Sequence, residues 1–426
     1  MISLFARALL VGVLLSPALS AAGETSVAPA SLSLREALAR ALRNNPDLRV
    51  FSPAKRIAEA ERLQADLKPN PGITLEHENF GSAGQARDEQ ATTLTLSQVI
   101  ELGNKRGYRS GAADAAINTV NAEFEIARLD ALAETARRFT DLAQSQAHVG
   151  LADRAVTLAQ AIAKSVERRI RAGAASTAER NRGAVELVKA EIDAQRSRVE
   201  VDAKRIGLAA MWGEQTADFA TVQADLEKLP TLAPIAPLLE QLQQSPDFAR
   251  FAAERRLRQA EMKLARSQAT PDLTVSFGVR RFSATNDYGL VASLSMPLPL
   301  NDRNQGEIAA AGARIAVNEA EREAANLRIR AVLYGLYQEA VQTRARATAL
   351  SEKASPQAEQ ALVLTQRGFE NGRFSFLELA DAQRQVLELR SQAIDAFADA
   401  HRLDAEIERL TGQPIVVLTR AEGVSP

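Results

Sequence analysis

Apolar residues recur with a helical period over most of this chain, and the helices they predict are unusually long. No proline occurs between Pro71 and Pro230. The pattern stays helical from about Asn104 to His148, which is roughly 65 Å at ~1.5 Å per residue. Helices of this length exceed what an ordinary globular domain needs. The sequence therefore predicts an elongated molecule of long helices packed side by side.

The last predicted helix has an apolar seam with alternating spacings of three and four residues, as in a coiled coil. The seam consists of Leu379, Ala382, Val386, Leu389, Ala393, Ala396, Ala400, Leu403, Ile407 and Leu410. The corresponding helix of the first half has two such seams, Val185, Val188, Ile192, Val199, Ile206 and Ala209 beside Leu187, Ala190, Ala194, Val201, Leu208 and Met211. Two seams predict neighbours on two sides, as in a bundle or a cylinder of helices.

The pattern repeats along the chain at a nearly constant offset. Pro46 in "NNPDL" and Pro246 in "QSPDF" lie 200 positions apart, and Gly173 and Gly372 lie 199 apart. A constant offset predicts two structural repeats. We assign them to residues 31–213 and 232–412, joined by a proline-rich linker, 226–237. Each repeat is expected to begin with a short amphipathic helix, Leu34 to Asn44 in the first and Pro237 to Gln244 in the second.

Four segments alternate apolar and polar residues with the period of a β-strand. They are 72–80, 91–99, 272–282 and 287–296. Their lengths match a tilted strand that crosses a bilayer. The alternative is a small soluble sheet that caps the helices.

The order of these segments along the chain favours strands that lie in a membrane over a soluble sheet. Two hairpins give a four-stranded sheet with open edges, which are not viable in lipid. Closed barrels begin at about eight strands, so several chains must each contribute four. The predicted fold is mainly α with a small membrane β part.

Composition narrows the class of protein further. The net charge of −1 offers no basic surface for nucleic acid, and the absence of cysteine excludes disulfides and thiolate metal sites. Residues 1–22 have a short apolar run from Ala8 to Leu15, followed by "ALSAA", which is typical of a signal peptide. The alternative, a membrane anchor, needs roughly 20 apolar residues. Residues 23–426 are then one exported domain.

The same turn motif occurs in two segments, "IRAGAASTAERNRGA" and "FENGRFSFLELADAQ". A glycine there can end one helix in the left-handed conformation, and a serine followed by glutamate three residues later forms a capping box. The predicted caps are Gly173, Ser176 and Glu179 in the first half and Gly372, Ser375 and Glu378 in the second. The segments therefore predict two helical hairpins, whatever the function.

The chain resembles the TolC family of outer-membrane efflux ducts over nearly its whole mature length. The resemblance rests on "LSLREALARALRNNPDL", the twofold repeat, "LTLSQVIELGNKRG" and "NGRFSFLELADAQ". It implies a homotrimer with a twelve-stranded barrel in the outer membrane of a Gram-negative bacterium and a helical tunnel through the periplasm. It also implies an adaptor protein and an inner-membrane pump of the resistance–nodulation–division (RND) type as partners. "SQVIELGNKRG" is most similar to the heavy-metal branch, which serves cobalt–zinc–cadmium type pumps.

The resemblance implies roles for the repeated turns. They would be the periplasmic tips that dock the adaptor, through Gly173, Ser176, Gly372 and Ser375. Glu378 and Asp381 match acidic gate positions, and Glu179 matches an acidic position of the first hairpin. Repeated by threefold symmetry, these carboxylates would favour cations. Without the resemblance, we would interpret them as solvated charges in the first turns of helices.

The chain departs from better-known members at the gate. Where those have a tyrosine and an arginine that latch the tunnel shut, this chain has Phe369 and Phe374. A hydrophobic constriction by Phe374 or Phe376 is the hypothesis that replaces the polar latch.

No arrangement of residues indicates an enzyme, a cofactor or a metal site. His148 and His401 are lone histidines on helices, and Glu76, His77 and Glu78 alternate across a strand, so they cannot converge on one ion. The predicted function is a passive exit duct for heavy-metal cations. The alternatives are a duct for drugs or a secreted polypeptide, or a periplasmic coiled-coil adaptor or scaffold.

Overall fold

A computed structural model describes residues 31–79 and 90–413. The predicted signal peptide, the end of the first predicted strand at Phe80 and the C-terminal residues 414–426 lie outside this range. The helices are α1 Leu34–Asn44, α2 Pro46–Arg49, α3 Phe51–Ala65, α4 Lys105–Arg171, α5 Thr177–Ala209, α6 Ile235–Gln241, α7 Pro246–Gln268, α8 Gln305–Ala349, α9 Ser355–Glu370 and α10 Phe376–Thr411. The strands are β1 Ser31–Ser33, β2 Gly72–Glu78, β3 Ala91–Ile100, β4 Thr221–Gln223, β5 Leu273–Phe282 and β6 Tyr288–Ser295.

The same order of elements occurs twice. A short helix, a second helix section, a β-hairpin, a very long helix, a turn and a returning helix follow one another in each half. The short helix of the second half begins at Ile235, two residues before the expected start, and continues from Leu242 to Gln244 as a 3₁₀-helix. Asn104 and Asn304 precede α4 and α8 with nearly identical left-handed backbone angles.

α4 is the longest helix, with 67 residues, or about 100 Å at ~1.5 Å per residue. Its N-terminal part packs against α3 and α7, and its C-terminal part packs against α5 and α10. Ion pairs mark both regions: Arg62 to Asp114 at 3.1 Å and Arg198 to Asp153 at 2.6 Å. α4 therefore connects the strand end of the molecule to the hairpin end.

The long helix of the second half is interrupted by a π-helical turn, Leu350–Ala354. Pro356 follows directly. Proline has no N–H, and its ring clashes with the carbonyl four residues earlier, here that of Glu352. Widening the helix by one residue per turn relieves this clash. The first half has no proline in this region, and α4 runs unbroken.

The four longer strands form one antiparallel sheet in the order β2-β3-β5-β6, so β2 and β6 are its edges. The register places Ile73, Leu96, Phe277 and Ala292 in one row across the sheet. Because side chains alternate along a strand, the members of such a row share a face.

The sheet therefore has one apolar and one mostly polar face. The apolar face carries Ile73, Leu75, Leu94, Leu96, Ile100, Leu273, Val275, Phe277, Val279, Leu290, Ala292 and Leu294, with His77, Thr92, Gln98, Arg281 and Tyr288 as exceptions. The other carries Thr74, Glu76, Glu78, Thr93, Thr95, Ser97, Thr274, Ser276, Arg280, Ser293 and Ser295, with Val99, Val291 and Phe282 as exceptions. Most of these apolar side chains are exposed in the single chain, Leu290 to 91% and Ile73 to 76%, and Leu273 and Val275 are half-buried.

The main core lies where α1, α4, α10 and the end of α5 meet. Phe139, Leu142 and Leu208 are fully buried there, and Trp212 packs against Phe219 with ring centroids 6.0 Å apart. Every residue of the predicted α10 seam is buried or half-buried. On α5 only the seam through Ala194 and Leu208 is packed. The seam beside it, from Val185 to Ile206, is exposed.

The linker, residues 226–237, is held against the long helices and is called the strap below. Nε2 of His401 lies 3.0 Å from the carbonyl oxygen of Leu226, and Arg344 donates to the carbonyl of Pro230 at 2.6 Å. Arg344 also forms an ion pair with the buried Asp404. Burial lowers the pKa of His401 below its usual 6.5, and burial raises the pKa of Asp404 although Arg344 opposes the rise.

The buried His401 makes the fold sensitive to acid. Its lowered pKa means that the unfolded chain binds a proton below about pH 6.5 that the folded chain does not, so stability falls as pH falls through this range. Arg344 and Asp225 are the charged neighbours that act on this imidazole. We expect His401→Gln, whose amide can still donate to Leu226, to lose less thermal stability than the wild type between pH 7.5 and 5.5. The difference should approach ~1.4 kcal/mol per pH unit at most.

The measurement is the melting temperature of the detergent-solubilised full chain across that pH range. The contribution of Asp404 is common to both proteins and cancels in the comparison. Equal pH dependence of the two proteins would contradict a neutral, buried His401.

Candidate functional site: the hairpin tips

The two helical hairpins end in turns of the same geometry. Gly173 and Gly372 have φ of +72° and +74°, a region that only glycine enters without strain. In the first turn the N–H of Gly173 donates to Ile170 at 2.9 Å and that of Ala174 to Arg169 at 2.7 Å. The second turn repeats both bonds, from Gly372 to Phe369 and from Arg373 to Gly368. Both are complete Schellman caps.

The helices that leave the turns begin with reciprocal caps. The Ser176 hydroxyl accepts the N–H of Glu179, and the Glu179 carboxylate accepts the N–H of Ser176 at 3.1 Å. Ser375 and Glu378 form the same capping box at the start of α10. These bonds satisfy N–H groups that the first helical turn cannot pair internally.

One arginine clamps the two turns together. The Arg169 guanidinium lies 4.3 Å from the ring centroid of Phe369 and donates to the Phe369 carbonyl at 2.8 Å. Its other terminal nitrogen donates to the carbonyl of Ala174 at 3.0 Å. Residue spacing does not predict this role, because Arg168, Arg169 and Arg171 are indistinguishable in a basic run.

The predicted acidic residues lie near the starts of their helices, where Glu378 and Asp381 are exposed and Glu179 is half-buried. Hydrogen bonds from the Ser375 backbone N–H and then from its hydroxyl lower the pKa of Glu378 below its usual 4.5. Asp381 follows three residues later with its side chain 76% exposed, and it pairs with Arg384 at 3.3 Å. Glu378 is therefore anionic near neutral pH, and part of the charge of Asp381 is balanced within the chain.

The two phenylalanines predicted to form a constriction differ in exposure. Phe374 is 40% exposed, and its ring covers Gly368, where an added Cβ would lie 2.1 Å from it. Phe376 is only 4% exposed and packs with Val166, Phe369 and Leu379. Phe376 stands three residues before Leu379 and so extends the buried seam of α10. Within one protomer it cannot line an opening, and Phe374 is the phenylalanine available to a constriction.

The tip of the first hairpin is basic, which sequence reasoning missed. Lys164, Arg171, Arg180 and Arg182 are exposed, and no carboxylate among the described residues lies within ion-pair distance of them. Arg168 approaches Glu370 at 3.8 Å. The two tips thus differ in charge, because the second combines its acidic positions with the exposed Arg367 and Arg373, whereas the first is mainly basic.

In residues 31–79 and 90–413, no helix combines the length and the apolar character needed to cross a membrane. Over the same residues, no three side chains of the kinds that bind metals gather into a site.

The fold is that of the TolC-like channels. The outer membrane protein VceC of Vibrio cholerae superposes with a TM-score of 0.72 at 18% identity, covering 90% of this chain and 96% of that one. The structure of CusC superposes with a TM-score of 0.73 at 16% identity, covering 89% and 92%. The predicted mainly α fold with a small β part is confirmed.

The chain belongs to the outer membrane efflux protein family, which it matches over residues 37–214 and again over 238–413. It is 29% identical over 382 residues to the cobalt-zinc-cadmium resistance protein CzcC of Cupriavidus metallidurans, covering 90% of each chain. It is 27% identical over 312 residues to the nickel-cobalt-cadmium resistance protein NccC of Alcaligenes xylosoxydans xylosoxydans, covering 70% of this chain and 67% of that protein. The resemblance drawn from the sequence is confirmed, and the chain is an outer-membrane protein of a Gram-negative bacterium.

The two roles of Glu378, as helix cap and as fixed charge, can be separated by substitution. We expect Glu378→Gln to keep the capping box, because glutamine also fits this position, and Glu378→Ala to lose ~0.3–1.5 kcal/mol of stability. If the carboxylate faces the conducting path, Glu378→Gln should also reduce the preference for cations. The measurement is the reversal potential in a planar bilayer under a tenfold KCl gradient.

Glu59→Gln on α3 is the matched control, since Glu59 is exposed and far from the tips. An unchanged reversal potential in Glu378→Gln would show that the carboxylate acts only as a cap.

Proposed function

We propose that this protein is the passive outer-membrane exit duct of a tripartite efflux system that exports heavy-metal cations. The curated relatives are named for resistance to cobalt, zinc, cadmium and nickel, and the alignment with CzcC spans 90% of both chains. The energy for export would come from an inner-membrane RND pump, which an adaptor protein links to the duct. The protein itself needs no catalytic residues and no cofactor for this role.

The four-stranded sheet is the observation that carries the proposal. Its apolar face is largely exposed, and among the described residues neither edge strand pairs with a further strand. Lipid would cover the apolar face, since hydrocarbon does not compete for hydrogen bonds. The edges need strands from other copies of the chain, because four strands are too few to close a barrel.

Exposed heptad rows on the helices support the same assembly. The unpacked α5 row of Val185, Val188, Ile192, Val199 and Ile206 is between 50% and 61% exposed. Val317, Leu327, Tyr334 and Val341 form a second exposed row on α8. Apolar rows with this period fit a facing helix. We infer that neighbouring copies cover them in a homotrimer, with three sheets forming a twelve-stranded barrel.

The polar face of the sheet would then line the exit. Glu78 and Arg280 form an ion pair there, beside rows of serine and threonine. A lining of this kind offers water-like contacts without a tight binding site, which suits passage of hydrated ions.

We assign the hairpin tips to the periplasmic entrance. Gly173, Ser176, Gly372 and Ser375 would present the docking surface for the adaptor. Glu378, Asp381 and Glu179 would ring the mouth, with Phe374 as the apolar constriction. The halves 31–213 and 232–412 would act as two structural repeats, so the trimer would present six similar hairpins.

The cargo and the membrane face are tested together in a strain that lacks the gene. Sensitivity to zinc, cadmium, cobalt, nickel, copper and silver is compared with sensitivity to hydrophobic drugs and bile salts. We expect a selective metal sensitivity that the wild-type chain and Ser276→Arg restore and Phe277→Arg does not. The two residues are neighbours on opposite faces of β5, and an arginine facing the middle of a bilayer costs ~2–4 kcal/mol.

Drug sensitivity without a metal phenotype would contradict the proposal that heavy-metal cations are the cargo, and it would leave the assignment as an exit duct in place. Equal rescue by Ser276→Arg and Phe277→Arg, both found in the outer-membrane fraction, would contradict the assignment of the lipid face.

A further inference from the structure

A polar cavity of about 450 Å³ lies beside the π-helical turn. Its walls come from α4, the turn with the start of α9, and α10, and Glu227 of the strap also lines it. All of these residues belong to one protomer. The volume is within the usual range for sites that bind small molecules.

Ser355 gives this cavity an unused hydrogen-bonding group. The residue is only 5% exposed, and its hydroxyl has no partner among the described residues. Several buried hydroxyls in α4 bond back to the carbonyl four residues earlier, as in Thr135 to Ala131 and Ser145 to Asp141, and the buried Ser110 instead donates to Asp66. Ser355 lacks this bond and lines the cavity. A buried polar group without a partner is costly unless a bound molecule satisfies it.

Two arginines add a surplus of donors. Arg154 and Arg390 both bind the same oxygen, Oε1 of Glu359, with Arg154 at a distance of 2.9 Å. Neither guanidinium has another acceptor among the described residues. One carboxylate therefore pairs with two cations, and several of their N–H groups remain to donate to an anionic ligand.

The other residues that line the cavity indicate the chemistry of the rest of the ligand. Ala147, Leu151, Ala393 and Ile394 are apolar and suit a short carbon skeleton. Glu227 has no cation among the described residues within ion-pair distance, so its negative charge lowers the affinity of the cavity for anions. The two arginines are the groups of this lining that favour an anionic group.

We propose that this cavity binds a small molecule with a carboxylate or phosphate group, held by Arg154, Arg390 and the Ser355 hydroxyl. Pro356 creates the site, because the π-turn that it imposes removes Ser355 from the regular helical bonding pattern. π-turns often occur at functional sites, which agrees with this assignment. The unbroken α4 has no counterpart of this turn.

The test is isothermal titration of the detergent-solubilised full chain with sodium citrate and with sodium phosphate, against sodium chloride at matched ionic strength. We expect saturable binding of at least one of the two anions. Binding of citrate alone assigns a carboxylate ligand, and binding of phosphate alone assigns a phosphate ligand. No saturable binding of either anion up to 10 mM, a concentration of roughly the order of the weakest useful affinity, would overturn the proposal.

Substitutions with opposite expected effects separate binding from folding. Ser355→Ala removes an unpaired buried hydroxyl, so it should leave stability unchanged or raise it while affinity falls by about tenfold. Arg390→Gln should weaken binding at least as much, and Glu227→Gln should tighten it several-fold, since a like charge is removed. Arg196→Gln, an exposed change on α5, is the control. Equal affinities in all four variants and the wild type would overturn the assignment of the site.

Discussion

The structure depends on one constraint: backbone hydrogen-bonding groups at the edge of a sheet cannot remain unpaired in lipid. β2 and β6 are such edges, and the face between them is apolar from Ile73 to Leu294. A single chain therefore cannot complete its own membrane part. In the proposed assembly, β2 of one copy pairs with β6 of the next, and the polar face turns inward around the exit.

The long helices connect the membrane sheet to the hairpin tips, about 100 Å away. α4 contacts helices from both halves of the chain, so the positions of the strands and of the hairpin tips are linked by one continuous element. At the far end, the Schellman caps, the capping boxes and the Arg169 clamp fix the two turns against each other. A rigid tip is what a docking surface needs, because ordering a mobile loop on binding would cost affinity.

Local and periodic signals were predictable from the sequence. The alternation in β5 and β6, the seam of α10 and the caps at Ser176 and Ser375 depend on neighbours a few residues away, and each agrees with the structure. Contacts between distant segments were not predictable. The burial of Phe376, the clamp from Arg169 to Phe369 and the hold of His401 on the strap join residues far apart in sequence or on different helices. The π-turn had a local cause in Pro356, which could have been recognised.

The central claim is that neighbouring copies join edge to edge, and cysteine cross-linking tests it most directly. The chain has no cysteine of its own. Thr74→Cys on β2 would be combined in turn with Val291→Cys, Ser293→Cys and Ser295→Cys on β6, which covers alternative registers on the polar face. Within one sheet β2 and β6 are three strands apart, roughly 14 Å, too far for a disulfide. The account predicts a covalent trimer in the oxidised outer-membrane fraction for at least one pair and none for the single variants. Monomers from every pair, with the protein folded in that fraction, would contradict it.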